Sequence, residues 1–154
     1  MKLHKYSPRD LQEVASLSRE TFRKFNSKDG TKKGIKEYLD YHDTKKNLEK
    51  IKETFSKNTI FFALKKNNKI IAIIKGKKDR IGNLFVKGEY HKKRIGRKLV
   101  EKFEKEAKKQ KSKEIKISAS LYSVPFYKKM GYKKTTGIRN IKGLKIQPMK
   151  KRLK

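Results

Sequence analysis

The stretch Leu84–Gln110, LFVKGEYHKKRIGRKLVEKFEKEAKKQ, admits few folds. It begins with a short apolar run, Leu84-Phe85-Val86, passes through a polar, basic turn, and continues with helical periodicity. Ile95, Leu99, Val100, Phe103 and Ala107 recur at the three- and four-residue intervals of one helix face, while lysine, arginine and glutamate fill the other. The order is strand, turn, helix, and it puts the turn at a helix N-terminus. There the first backbone N–H groups lack an intrahelical partner and the helix dipole adds partial positive charge, so the point attracts anions. His91, Lys92, Lys93, Arg94 and Arg97 bring further donors to the same place. A multiply charged phosphate ligand fits that chemistry.

The elements around this stretch can be read in order. Lys2–Tyr6 is a short first strand, and Ser7-Pro8 opens a helix with Ser7 as N-cap and Pro8 at its first position. Leu11, Val14, Ala15, Leu17, Phe22 and Phe25 form its apolar stripe, which ends near Asn26 before the turn residues Ser27-Lys28-Asp29-Gly30. A second helical region runs from Thr31 and carries Ile35, Tyr38, Leu39, Leu48, Ile51 and Phe55, with a break near His42-Asp43.

From Thr59 the period changes. Thr59–Leu64 and Ile70–Ile74 are β-rich arms joined by a hairpin turn at Lys66–Lys69, and after a basic turn at Lys75–Asp79 comes a third strand, Arg80–Val86. Beyond the central helix Glu114–Ser120 alternates as a strand, and a strand-helix-strand unit brings its two strands parallel. Strands 80–86 and 114–120 are therefore expected side by side. Tyr122–Met130 is a short helix with Pro125 in its first turn, stopped by Gly131, and Tyr132–Gly137 with Leu144–Met149 is expected as a closing hairpin.

Composition excludes several chemistries. At 154 residues the chain is expected to form a single domain over 1–154, and without cysteine it has no disulfide, thiolate metal site or cysteine nucleophile. His4, His42 and His91 show no metal-ligand spacing. No apolar run approaches the roughly 20 residues of a membrane span, and Met1–Asp10 lacks the apolar segment of a signal peptide, so a soluble, cytoplasmic protein is expected. The net charge of +31 implies non-specific attraction to polyanions. Its lysines are spread from end to end, which reads as a solvated basic surface in preference to a dedicated nucleic-acid face.

Two stretches together resemble the GCN5-related N-acetyltransferase (GNAT) family. Tyr90–Leu99, YHKKRIGRKL, is similar to the family's acetyl-CoA phosphate loop, with His91 where Arg or Gln is usual and Arg94 in place of the first glycine, leaving Gly96. Ser123–Tyr132, SVPFYKKMGY, is close to the family's A-x-x-F-Y-x-K-x-G-F segment and is the sharper of the two. The resemblance covers nearly the whole chain. It implies an α+β fold layered α/β/α, with a mixed, mostly antiparallel sheet of about six to seven strands, about four helices and a central parallel strand pair.

The resemblance also implies acetyl-CoA as co-substrate and no metal. The backbone of Leu84, Phe85 and Val86 would pair with the pantetheine arm. The loop from His91 through Lys92, Lys93, Arg94, Ile95 and Gly96 to Arg97 would hold the phosphates, and Tyr122 would border the cofactor. Tyr127 would be catalytic, since a phenol can donate a proton to the departing thiolate or hydrogen-bond it. The reading is then an N-acetyltransferase, moving an acetyl group to a primary amine of a small-molecule or protein acceptor by direct attack in a ternary complex, as a monomer or homodimer. No residue announces itself as general base; Glu89, Glu37, Asp40, Asp43 and His42 are the candidates. The alternative is a non-catalytic nucleic-acid or ribosome-associated protein on the same scaffold, and a different acyl-CoA is a third reading.

Overall fold

The computed structural model describes residues 1–154. In chain order the strands and helices are β1 (Lys2–Lys5), α1 (Leu11–Phe25), α2 (Lys32–Tyr41), α3 (Thr44–Ser56), β2 (Ile60–Lys66), β3 (Lys69–Lys77), β4 (Arg80–Val86), α4 (Ile95–Lys109), β5 (Glu114–Ser120), α5 (Val124–Lys129), β6 (Lys133–Lys134), β7 (Arg139–Ile141) and β8 (Leu144–Arg152). All eight strands join one sheet in the order β1-β2-β3-β4-β5-β8-β6, with β7 also paired to β8. Only β4 and β5 run parallel. The sheet is mixed, mostly antiparallel and covered by helices on both faces, as the family resemblance implies.

Burial on both faces explains why β2 and β3 are near-continuous apolar runs. Phe62, Leu64 and Ile74 pack with Leu99, Val100 and Phe103 of α4 on one face. Phe61, Ala63 and Ile73 pack with Leu11, Val14 and Leu17 of α1 and Ile51 and Phe55 of α3 on the other. Truncating Phe103, which is fully buried, to alanine would cost about 3–5 kcal/mol. The β2–β3 turn places Asn67 and Asn68 at φ 51° and 65°, the left-handed pair that a two-residue hairpin of this type requires.

Three local expectations change. Pro8–Asp10 forms a separate 3₁₀ turn before α1, because the Asp10 carboxylate accepts from the Ser7 N–H at 2.9 Å and faces His4 at 3.2 Å. Lys75 and Gly76 belong to β3, and the basic turn after it is shorter. The last hairpin is not formed by 132–137: Tyr132 is drawn into the core, where its hydroxyl donates to Glu104 at 2.8 Å, leaving two-residue β6. The hairpin partner of β8 is β7, closed by Lys142 and Gly143, both at positive φ. The break at His42-Asp43 is present, with the Asp43 carboxylate capping α3 by accepting from the Lys45 N–H at 2.9 Å.

No helix is long and apolar enough to cross a membrane.

Candidate functional site

The parallel strands β4 and β5 pair only at Arg80 with Lys116 and Ile81 with Ile117, then splay apart. Lys87 N–H donates to Ile71 O at 2.9 Å, and the antiparallel ladder alternates from there, so Phe85 exchanges its main-chain bonds with Ile73. Leu84 and Val86 therefore turn their main-chain groups into the gap. Of the three residues expected to pair with a strand-like ligand, Leu84 offers its N–H and C=O and Val86 its N–H, the Val86 C=O being engaged by His91; Phe85 has spent its own on β3 and packs its ring in the α1-side core. The gap widens into a cleft of about 980 Å³.

The N-terminus of α4 opens on the same cleft. Its cap residue, Arg94, has no side-chain capping bond, and the first main-chain bond of this helix end runs from Lys98 N–H to Arg94 O at 3.1 Å. The N–H groups of Ile95, Gly96 and Arg97 are thus without helical acceptors and available to an anion. Arg94 adopts φ 61°, ψ 15°, the left-handed conformation that glycine reaches at least cost, so the charge-rich loop keeps a glycine-like path despite its side chain. Lys92 is left-handed too, at φ 61°. Gly96 serves packing: a Cβ there would come within 3.2 Å of the Phe126 ring.

The structure brings Leu84, Phe85, Val86, His91, Lys92, Arg94, Ile95, Gly96, Arg97, Tyr122 and Tyr127 to this one cleft. Lys93 is not among the residues lining it; its ammonium lies 5.7 Å over the Tyr90 ring. His91 is turned away from the helix end, and its Nε2–H donates to Val86 O at 2.7 Å. The ring rests 4.4 Å from that of Phe25, and Tyr122 Oη lies 3.4 Å from its Nδ1.

Tyr127 is only 2 % exposed, yet it borders the cleft. Its ring meets Phe126 and Tyr132 edge-on at 5.0 and 5.4 Å. Tyr132 is fastened in turn to Glu104, which Lys151 neutralises at 3.1 Å. Burial pushes the Tyr127 phenol well above its ordinary pKa, so it stays protonated. Ser118 also lines the cleft, its hydroxyl 3.4 Å from Arg80 Nη1.

The five base candidates lie elsewhere. Asp40 accepts from Lys36 at 2.7 Å and Lys46 at 2.9 Å, which hold its carboxyl down at about 2. Asp43 is spent on its helix cap, and Glu37 and Glu89 pair with neighbouring lysines at 3.9 Å. His42 is buried, stacked on Tyr38 at 4.3 Å, and its Nδ1–H donates to Tyr38 O at 3.0 Å. Burial, with the charges of Lys75 and Arg19, lowers it to about 4, so it is neutral near pH 7. None of the five lines the cleft.

Sequence reasoning missed the cleft's opposite wall. Thr21, Phe22, Phe25, Asn26, Asp29 and Tyr38 from the α1–α2 region face it, as do Leu144, Lys145 and Ile146 of β8. Gly30 forms a bridge with Leu144, and Thr31 N–H donates to Gly143 O at 2.8 Å, joining the two segments. The glycines at 30, 34 and 143 mark that close approach, but no local pattern says which partner they meet.

Residues 26–153 match the family model described as an acetyltransferase (GNAT) domain. Among solved structures, a GCN5-related N-acetyltransferase (aminotransferase, class II) from Rhodopseudomonas palustris is 19% identical with a TM-score of 0.84, over 99% of this chain and 95% of that one. PaiA N-acetyltransferase from Thermoplasma acidophilum, in complex with coenzyme A, is 22% identical with a TM-score of 0.76, over 98% of each chain. An aminoglycoside 6'-N-acetyltransferase complexed with coenzyme A is 18% identical with a TM-score of 0.75, over 100% of this chain and 98% of that one. At such identities the likeness is one of fold. No curated protein matches the chain.

Proposed function

Because the chain belongs to the GNAT acetyltransferase family, we propose that it transfers the acetyl group of acetyl-CoA to a primary amine by direct attack in a ternary complex. The observation that carries this reading is the continuity of the β4–β5 gap with the open N-terminus of α4. One cleft offers strand-like main-chain groups at Leu84 and Val86 and, at its other end, unpaired N–H groups beside Lys92, Arg94 and Arg97. A ligand with an amide-bearing arm and a pyrophosphate satisfies both. The guanidinium groups suit phosphate oxygens, which they can meet in bidentate fashion.

In the transfer, the neutral amine nitrogen forms a bond to the acetyl carbon as the carbon–sulfur bond breaks. The electron pair leaves on sulfur, and the amine's excess proton passes to solvent. Tyr127 is the residue we assign to the leaving sulfur. Its raised pKa makes full proton transfer to a thiolate of ordinary basicity, about 8.5, unfavourable. The phenol therefore acts as a hydrogen-bond donor to the developing thiolate, and water completes the protonation. The charge of +31 adds weak, salt-sensitive polyanion binding that needs no dedicated site.

Coenzyme A at millimolar concentration should raise the melting temperature by mass action on the folded state, and acetyl-CoA with a panel of amines should release free thiol. Absence of both the thermal shift and thiol release would overturn the reading.

A further inference from the structure

Asp29 is the only carboxylate among the residues lining the cleft. The chain carries 46 lysines and arginines, and Asp40 is paired with two of them and Glu101 and Glu104 with one each, yet no basic side chain pairs with Asp29. Its place is fixed by the frame around it. The neighbouring Gly30 bridges Leu144, a Cβ at Gly30 would lie 2.7 Å from Leu144 Cδ2, and Thr31 caps α2 by accepting from the Gly34 N–H at 3.0 Å. The loop cannot draw back from the cleft without breaking that seam.

Resting on the acetyltransferase reading, we propose that Asp29 is the electrostatic anchor of the acceptor, and that the acceptor is a monoamine whose single ammonium is carried on an apolar or aromatic body. The cleft that Asp29 lines is also walled by Phe22, Phe25, Tyr38, Tyr122, Leu144 and Ile146. Phe25 and the exposed Tyr122 lie 5.1 Å apart with 34° between their planes, so an aromatic surface faces the cleft without ligand. A cation against such rings and one carboxylate is held by charge and by the ring faces together. Lys145 also lines the cleft, and its charge repels a second cation, which disfavours polyamines. The nitrogen must lose its proton before it attacks, so Asp29 acts on capture of the acceptor and its removal shows in binding and KM before kcat.

The test uses the whole protein saturated with coenzyme A, titrated calorimetrically with 2-phenylethylamine, 2-phenylethanol and spermidine. The wild type should bind 2-phenylethylamine at least tenfold more tightly than either comparator, and Asp29→Asn should lose that preference over the alcohol while keeping the coenzyme A thermal shift. Equal binding of the amine by wild type and variant, or no binding of the amine by the wild type, would overturn the proposal. Absence of both the coenzyme A shift and thiol release in the wild type would instead overturn the acetyltransferase reading on which it rests.

Discussion

The imidazole of His91 donates from Nε2 to the main-chain oxygen of Val86 at 2.7 Å, across the turn that separates β4 from α4. Val86 O points into the β4–β5 gap and is one of the few acceptors there that a strand-like ligand can use. The histidine therefore holds the position such a ligand needs. Its other nitrogen is left as an acceptor beside Tyr122 Oη, at 3.4 Å, and its ring lies on Phe25.

Replacing His91 by alanine should accordingly tighten coenzyme A binding. A net hydrogen bond is worth about 0.5–1.5 kcal/mol, and freeing Val86 O should lower the Kd by about two- to tenfold by calorimetry. Unchanged or weaker binding would mean that the ligand leaves Val86 O alone.

Tyr127→Phe separates catalysis from packing. The phenyl ring preserves the edge-on contacts with Phe126 and Tyr132, and only the hydroxyl is lost. We expect kcat to fall by about 10²-fold, with coenzyme A affinity and melting temperature nearly unchanged. A variant that turns over like the wild type would remove Tyr127 from the chemistry.

How much of this was legible beforehand follows from where the information sits. The bounds of β4 and β5, 80–86 and 114–120, match the sequence reading because each is marked by local periodicity and bounded by polar turns. The stripe of α4 and the break at His42-Asp43 are local as well. The closing hairpin departs from the local pattern because Tyr132 is held in the core by Glu104, 28 residues earlier. Asp29 gave no sign at all. Its turn chemistry is ordinary, and the contacts of Gly30 with Leu144 and of Thr31 with Gly143 bring it to the cleft. The inward turn of His91 is equally a matter of tertiary contact: a basic residue beside a phosphate loop reads as a phosphate donor until its acceptor is seen.

Arg94 tests the loop. As a non-glycine residue at φ 61° it carries left-handed strain of about 1 kcal/mol, which Arg94→Gly would relieve. Glycine also loosens the unfolded chain by about 0.4–1 kcal/mol, so the two effects nearly cancel. The melting temperature should move by less than about 3 °C, while coenzyme A binding weakens several-fold through loss of the guanidinium. Unaltered affinity would show that the loop's main chain suffices to hold the phosphates.

Lys75 makes a prediction of opposite sign to most core substitutions. It sits on β3 at 5 % exposure, its ammonium 4.2 Å over the Phe55 ring and 5.9 Å over that of Phe61, with His42 adding no counter-charge and no carboxylate paired to it. Burial lowers its pKa to about 8, against about 10.4 in an unfolded chain. Between those values the unfolded state binds more protons than the folded state, so stability rises with pH from about 8 to 10 and the full penalty applies below 8. Lys75→Met keeps the aliphatic stem and removes the charge. It should raise unfolding free energy at pH 7 by about 1–3 kcal/mol and flatten the alkaline rise, read from urea midpoints at pH 7 and 9.5. A destabilised variant, or one whose alkaline rise matches the wild type, would mean that the rings of Phe55 and Phe61 compensate the buried charge in full.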